Sequence, residues 1–210
     1  MDRRPINSRD AGWANALSRW LAATSVTPNQ ISVASMGFAA LAGLAFWSVG
    51  QTDGFGRIAL LLLAALGCQL RLVCNLMDGL VAVEAGKQAK DGPFWNEFPD
   101  RIADIFIIAG LGLAVGQPGL GWAAAALAVL AAYTRELGRT CGLAADFSGP
   151  MAKPQRMALV TGAAVLACFE GLWAGQGGVL TAALWVLVLG TAATVAWRGA
   201  RIVAQLQARG

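Results

Sequence analysis

Carboxylate and amide side chains recur at helical spacing across the boundary between two apolar segments. The chain places them at Asn75, Asp78, Asn96, Asp100 and Asp104. An α-helix turns about 100° per residue, so the first two share a face and the last three form a stripe on a second helix. Oxygen ligands on adjacent helices suit a hard divalent cation. The pattern therefore indicates a Mg²⁺ or Mn²⁺ site, with one or two ions.

The same carboxylates have a second interpretation, which is a buried network of ion pairs. The cations for such a network are Arg71, Arg101 and Arg135. Spacing alone does not decide between a metal site and ion pairs. Pro99 must either start or kink the second helix, so the position of Asn96 is less well defined than that of Asp100.

The elements that hold these groups are predicted to be membrane helices. Of 210 residues, 57% are hydrophobic and 13% are charged, and the mean hydropathy is +0.57. The apolar runs between the charged windows approach the length that spans a hydrocarbon core of about 30 Å. The third run is short, so we expect it to begin earlier, inside the polar motif. The six runs are Ile31–Val49, Ile58–Leu76, Ile102–Val115, Gly121–Leu137, Met157–Trp173 and Val179–Trp197. We expect an all-α integral membrane protein with six transmembrane helices.

The distribution of basic residues predicts the orientation. With the N-terminus in the cytoplasm, the outer segments contain Arg57 alone among the Lys and Arg residues, and both ends are cytoplasmic. Asp10–Thr24 carries Trp13 and Trp20 at helical spacing, which predicts an amphipathic helix on the cytoplasmic surface, the alternative being an ordinary connector. The whole chain, 1–210, is expected to be one membrane domain, with a surface segment at 1–30 and a six-helix bundle at 31–198.

Several kinds of chemistry are excluded by composition. The chain has no histidine, which rules out Ser-His-Asp triads, zinc sites built on histidine and histidine bases. The four cysteines form no CxxC pair and are interpreted as small core residues. Acid–base or metal chemistry must therefore rest on carboxylates, amides, Lys or Arg.

The polar stretch resembles the signature of the CDP-alcohol phosphotransferase family, D-x2-D-G-x2-A-R-x8-G-x3-D-x3-D. The chain reads Asn75-x2-Asp78-Gly79-x2-Ala82-Val83-x8-Gly92-x3-Asn96-x3-Asp100, and every spacing is kept over 26 residues. Thr27-Pro28-Asn29 before the first span also resembles the N-terminal motif of the family. The resemblance covers essentially the whole chain.

This resemblance implies transfer of a phosphoryl-linked group from a CDP-alcohol, usually CDP-diacylglycerol, to an acceptor alcohol, with release of CMP during phospholipid biosynthesis. By position, Asn75, Asp78 and Asn96 would be metal ligands, with Asp100 as ligand and general base and Asp104 as an added ligand; Asp78 is also placed among the catalytic residues. Nucleotide and phosphate contacts would come from Asn29, Gly79, Ala82, Gly92, Lys153 and Arg156. A homodimer in the bacterial inner membrane, with a cytoplasmic active site, is also implied.

Three positions depart from the signature, and they leave alternatives open. Asn75 and Asn96 replace aspartates and Val83 replaces the arginine. Fewer carboxylates predict weaker metal binding, or one tight ion rather than two. The alternatives are a CDP-lipid-binding pseudoenzyme and a small transporter.

Some charged residues have simpler predictions outside the motif. We expect Lys87 to be a solvated loop charge, and Glu170 to serve helix packing or to be exposed at the interface. Arg135 and Glu136 form either an internal ion pair or a phosphate contact.

Overall fold

A computed structural model describes residues 12–84, 86–87, 90–173, 175 and 177–209. All regular structure within these ranges is helical. The helices are α1 (Gly12–Ala22), α2 (Pro28–Val49), α3 (Gly54–Glu84), α4 (Gly92–Ala114), α5 (Pro118–Thr140), α6 (Lys153–Ala167) and α7 (Gly178–Gln207), with a short 3-10 turn at Glu170–Leu172. Helix α1 falls inside the predicted segment Asp10–Thr24, of which residues 10 and 11 lie outside the described ranges.

Helix α2 begins at a local capping signal, and helix α4 begins inside the polar motif. Thr27 accepts a hydrogen bond from the backbone N–H of Gln30, and the Gln30 side chain accepts one from the backbone of Thr27, which closes a capping box at the start of α2. Helix α4 begins at Gly92 and runs through Pro99 without interruption. The prediction that the third apolar helix begins inside the polar motif therefore agrees with the described helix.

The bundle is held by helix pairs whose backbones touch. Helix α2 packs against α3 and α4, α4 packs against α5, and α5 packs against α7. A Cβ atom added to Gly110 would lie 2.3 Å from the carbonyl oxygen of Gly43, so α2 and α4 meet backbone to backbone. Gly112 and Gly121 form a similar contact between α4 and α5. Glycine is needed at these crossings because a side chain would push the helices apart.

Three described helices are long and apolar enough to cross a membrane, namely Pro28–Val49, Gly54–Val83 and Gly178–Gln207. Large apolar side chains on their outer faces, including Leu44, Leu66 and Leu189, are more than half exposed. Such exposed apolar faces suit lipid rather than water. The chain is therefore an all-α membrane protein, and the six-span arrangement stays a prediction.

A buried ion pair ties several helix ends together at the end of the bundle away from the polar motif. The Glu170 carboxylate accepts hydrogen bonds from the backbone N–H groups of Gly177 and Val179, at the start of α7, at 2.8 and 2.7 Å. It also lies 3.6 Å from the Arg57 guanidinium, which in turn donates to the carbonyl of Val49 at the end of α2. Glu170 is 1% exposed, so its role is helix packing, the first of its two predicted roles.

Helix α1 packs on the part of α3 that carries the polar motif. Ala14 of α1 shares a small apolar cluster with Met77 and Val81 of α3, while Trp13 and Trp20 remain more than half exposed. The Lys87 ammonium donates to the backbone carbonyls of three residues that end α1 or follow it: Ala22, Thr24 and Val26. The prediction of a solvated charge at Lys87 is wrong, because the segment after α3 places its ammonium within hydrogen-bonding distance of these carbonyls.

Candidate functional site

The predicted polar stripes face each other across the contact between α3 and α4. Arg71 and Asn75 lie one turn apart on α3, and Asp100 and Asp104 lie one turn apart on α4. The Asn75 amide donates a hydrogen bond to Asp100, and the Arg71 guanidinium lies 3.2 Å from Asp100 and 3.0 Å from Asp104. Residues that are 25 positions apart in sequence are thus in direct contact.

Asp104 has both carboxylate oxygens engaged by arginine. One oxygen accepts from Arg71 at 3.0 Å, and the other accepts from Arg156 at 2.8 Å. The residue is 1% exposed, and both arginines are equally enclosed. This geometry favours the ion-pair interpretation for Asp104 over the metal-ligand interpretation.

Asp100 is surrounded by cations. The Lys153 ammonium contacts one carboxylate oxygen, and the Arg101 guanidinium lies 3.7 Å from the same oxygen. Arg71 and Asn75 approach the other oxygen. Asp100 is therefore held in place from α3, α4 and α6 at once.

Asp78 keeps an unused oxygen. Its Oδ2 accepts a hydrogen bond of 2.7 Å from the hydroxyl of Ser32 on α2. Its Oδ1 is buried and has no hydrogen-bond partner of normal geometry in the part of the chain that the structure describes. A buried acceptor left without a donor is costly, and a bound cation or ligand would satisfy it.

The remaining predicted positions surround this centre without touching it. A Cβ atom at Gly79 or Gly92 would meet nothing within 4 Å, which leaves room beside both glycines. Ala82 is half-buried, one turn beyond Asp78, and Asn96 is exposed, one turn before Asp100. No direct contact places these four residues in the ion-pair network.

Asn29 joins the start of α2 to the start of α4. Its amide donates to the Asp91 carboxylate at 3.2 Å, and the same carboxylate accepts from the Trp95 indole at 2.9 Å. The link lies next to Gly92, because Asp91 is the residue that directly precedes α4. Asn29 therefore lies at the rim of the site rather than among the buried carboxylates.

Ser32 is a functional candidate that sequence reasoning missed. It lies one turn after Pro28, and Asn29, Gln30 and Ser35 stand within three residues of it, so its residue type does not set it apart. The hydroxyl matters because α2 packs against α3 at the level of Asp78, and no spacing rule within α2 reveals that contact.

The side-chain oxygens of Asp78, Asp100 and Asn75 fit a hard divalent cation, and their small number favours one ion over two. Among the described residues, no group of three or more His, Cys, Asp and Glu side chains is arranged to hold a metal. Asp78 and Asp100 offer two carboxylates, and the Asn75 amide oxygen adds a neutral ligand of the type that Mg²⁺ accepts. The unused oxygen of Asp78 is the observation that most favours such an ion.

A second charged network lies beside the site. Arg135 contacts Glu97 and lies 2.9 Å from Glu136, and Glu97 also pairs with Arg101. Of the two predictions for Arg135 and Glu136, the internal ion pair is the one that the structure shows.

Asp146, in the loop between α5 and α6, is tied to the next turn of chain. Partial burial would raise the pKa of its carboxyl. Hydrogen bonds from the hydroxyl and amide of Ser148, together with the nearby Arg201, outweigh that effect and lower the pKa below its usual value. Asp146 is therefore ionised and holds the loop at the end of α7.

Two curated proteins are similar to the chain over most of its length. One is a phosphatidylinositol phosphate synthase from Mycobacteroides abscessus, 26% identical over 194 residues, which cover 88% of this chain and 80% of that protein. The other is the inner membrane protein YnbA of Escherichia coli, 29% identical over 181 residues, which cover 82% of this chain and 84% of YnbA. No family model matches the chain.

Solved structures share the fold. The Mycobacterium tuberculosis phosphatidylinositol phosphate synthase PgsA1, crystallised with CDP-DAG bound, superposes with a TM-score of 0.74 at 18% identity, covering 91% of this chain and 94% of that chain. The same protein in complex with manganese and citrate gives a TM-score of 0.74 and covers 90% of this chain and 88% of that chain.

Proposed function

We propose that this chain is a member of the CDP-alcohol phosphotransferase family and that it transfers a phosphoryl-linked group from a CDP-activated alcohol to an acceptor alcohol in phospholipid synthesis. The donor is CDP-diacylglycerol, which is the lipid bound in one structure of PgsA1. The acceptor is a polar alcohol whose identity the site does not reveal.

One observation carries this proposal. The signature spacing from Asn75 to Asp100 folds so that α3 and α4 bring Asn75 against Asp100, while Asp78 on the same α3 face keeps an unpaired buried oxygen. Asp100 and Asp104 have cations beside both oxygens, whereas this oxygen of Asp78 has neither a cation nor a hydrogen-bond donor. The arrangement supports a site that is completed by a ligand.

Four residues are proposed to bind the cofactor: Asn75, Asp78, Asn96 and Asp100. A Mg²⁺ or Mn²⁺ ion held by these residues would neutralise the diphosphate and improve CMP as a leaving group. Asp104 is proposed to position Arg71 and Arg156 instead, since both of its oxygens already bind these guanidinium groups. One tightly bound ion is expected, because Asp78 alone among the three site carboxylates keeps an oxygen without a cation, while Asp100 would have to exchange Lys153 for the ion.

Asp100 is proposed as the general base. Its carboxylate takes the proton of the acceptor hydroxyl while the acceptor oxygen bonds to the phosphorus that carries the lipid. The bond from that phosphorus to the bridging oxygen breaks, and CMP leaves. Lys153, with its ammonium beside Asp100 and its side chain partly exposed, is placed to contact a phosphate oxygen.

The nucleotide is proposed to bind on the open side of the site. Gly79, Ala82 and Gly92 line that space, and the Asn29–Asp91 link closes its rim. Arg156 supports the site from behind rather than touching phosphate, since it also donates to the carbonyl of Met151.

The membrane arrangement follows from the charge distribution. We propose six spanning helices, α2 to α7, in one domain, with the site and both chain ends on the cytoplasmic side of a bacterial inner membrane. Helix α1 lies on that surface, with Trp13 and Trp20 directed toward lipid headgroups. A homodimer is proposed from the family alone.

The test is product analysis. The purified protein in lipid vesicles receives CDP-diacylglycerol, Mg²⁺ or Mn²⁺ and a panel of polar alcohols, and mass spectrometry identifies new lipids. We expect one phospholipid class, and a loss of at least about 100-fold in its rate of formation for Asp100→Asn, the scale of a lost general base. Glu136→Gln is the control, because Glu136 is half-exposed and outside the site. If the protein binds CDP but forms no new lipid with any acceptor, the proposal that it is an enzyme is wrong.

A second candidate is a CDP-lipid-binding pseudoenzyme. The observation that favours it is the pair Asn75 and Asn96, which lowers the charge at two ligand positions. The double variant Asn75→Asp, Asn96→Asp distinguishes the enzyme from the pseudoenzyme. A large gain in turnover indicates a weakened ancestral site, and a loss indicates a site tuned to amides. A transporter is disfavoured because the polar residues lie on two uninterrupted helices, in the last third of α3 and the first part of α4, rather than at interrupted helices near the midplane.

A further inference from the structure

The two interior carboxylates of the site have more cations than they need. Asp100 is approached by Lys153, Arg71 and Arg101, and Asp104 is approached by Arg71 and Arg156. Arg101 lies closer to Glu97, at 2.8 Å, so three positive side chains, Lys153, Arg71 and Arg156, are left to face these two negative ones. Adding Asp78 brings the carboxylates to three, so the cluster is still not negative overall.

A free divalent ion is poorly attracted to such a cluster. The attraction of Asp100 and Asp78 for the ion is opposed by repulsion from cations that already contact Asp100. Asn75 lowers the attraction further, because an amide supplies an oxygen without a charge. Binding at Asp100 also requires that Lys153 give up its place.

Lys153 is the cation that can move. Its side chain is 22% exposed, whereas those of Arg71 and Arg156 are 0% and 3% exposed. It is the first residue of α6, and its ammonium is carried on a flexible stem of four carbons. The arginines are fixed between two partners each, and Lys153 contacts Asp100 alone among the carboxylates in the described residues.

A bound diphosphate reverses this balance. Its negative charges attract both the metal ion and Lys153, so Lys153 can leave Asp100 for a phosphate oxygen as the ion takes its place. After the exchange, Lys153 would pair with phosphate and Asp100 with the metal ion.

We propose that Lys153 is the resident counter-ion of Asp100, so that a divalent cation binds this site only together with the diphosphate of the nucleotide. The inference rests on the proposed function, since it assumes that the ligand is a CDP-alcohol. It assigns Lys153 two successive partners, Asp100 in the free protein and phosphate in the complex.

The test measures Mn²⁺ binding without turnover. The signal of free aqueous Mn²⁺ in electron paramagnetic resonance is followed as protein in detergent is added, with and without CDP, and the Mn²⁺–CDP complex is measured separately without protein. We expect Mn²⁺ to bind at least about tenfold more tightly when CDP is present. By linkage, Mn²⁺ must raise the affinity for CDP by the same factor, which equilibrium dialysis of labelled CDP measures.

Substitutions test the proposed role of Lys153 as a counter-ion. Lys153→Met keeps the length of the side chain and removes its charge, so Mn²⁺ affinity without CDP should rise at least about tenfold. Asn75→Asp, which adds a carboxylate beside Asp100, should also raise the Mn²⁺ affinity measured without CDP. Lys90→Met, on the exposed loop, is the matched control and should leave Mn²⁺ binding unchanged. Thermal unfolding of each variant shows that it is folded.

The outcomes separate the two ideas. Equal Mn²⁺ affinity with and without CDP, in a protein that binds CDP, overturns the counter-ion role and leaves the proposed function standing. Unchanged Mn²⁺ affinity in Lys153→Met overturns it as well. A protein that binds no CDP in dialysis overturns both this inference and the proposed function.

Discussion

At the scale of single residues, the Glu170 carboxylate caps the start of α7, although Glu170 itself belongs to the 3-10 turn before that helix. Glu170→Gln keeps the shape but removes the charge, so Arg57 loses its buried partner and one N–H at the start of α7 loses its acceptor. We expect a loss of about 3 kcal/mol in unfolding free energy, the scale for a broken buried pair. Thermal and denaturant unfolding in detergent measure it.

The control for this prediction is Glu136→Gln. Glu136 also pairs with arginines, but its side chain is 37% exposed, so its loss should cost at most about 1 kcal/mol. Equal destabilisation by the two substitutions would show that Glu170 is not a buried anchor.

The sequence reveals residue neighbours within an element better than neighbours between elements. The spacing from Asn75 to Asp78 and from Asp100 to Asp104 places each pair on one helix face, as the described helices have it. The contacts of Lys153 with Asp100 and of Ser32 with Asp78 cross helices far apart in sequence. Such contacts depend on how α2 and α6 pack, which no local pattern determines.

At the scale of helices, the crossing of α2 and α4 depends on the absence of side chains. Gly110→Ala would place a Cβ atom 2.3 Å from the Gly43 carbonyl oxygen, which is backbone and cannot turn away. We expect a loss of about 3 kcal/mol in stability, at the upper end of the cost of overpacking. Because α4 carries Asp100, activity should fall together with stability, and both are measured on the same preparation.

Gly162→Ala is the matched control for this crossing. Gly162 is an exposed helical glycine on α6, and an added Cβ atom would meet nothing within 4 Å. It should be neutral or stabilising by about 0.5–1 kcal/mol, the usual helix gain of alanine over glycine. A Gly110→Ala variant as stable as Gly162→Ala would contradict the close crossing.

Lys87 couples the surface helix to the loop before α4. Lys87→Met removes the ammonium that binds the carbonyls of Ala22, Thr24 and Val26. We expect amide hydrogen exchange over residues 23–27 to become at least about tenfold faster, because that stretch would have lost its tertiary tie.

The Lys90→Met variant serves as the comparison, because Lys90 is exposed on the same loop. Unchanged exchange in both variants would mean that the apolar contacts of α1 with Met77 and Val81 hold this stretch without Lys87.

At the scale of the whole molecule, apolar composition and the long apolar runs were enough to predict an all-helical membrane protein. The number of spans was harder to predict. Three described helices meet the length and hydropathy of a span, while α4 carries the charged motif in its first half and α6 is short. Helices that must hold polar groups depart from the pattern that identifies spans.

The six-span proposal predicts the side on which each loop lies. In a chain whose four cysteines are replaced by alanine, Gly119→Cys, exposed in the first turn of α5, should react with an impermeant thiol reagent added outside intact bacterial cells. Gln207→Cys, at the end of α7, should react only after the cells are opened. The reverse labelling, or equal labelling of both sites, would contradict the orientation.

The most direct measurement is the release of CMP from CDP-diacylglycerol by the purified protein in lipid vesicles, with Mg²⁺ or Mn²⁺ and a panel of acceptor alcohols. The predicted result is CMP release that requires both the ion and one class of acceptor, that chelation of the metal abolishes, and that falls at least about 100-fold in Asp100→Asn. CDP binding without CMP release for any acceptor, or release that Asp100→Asn leaves intact in folded protein, would contradict the assignment of this site as a phosphotransferase centre.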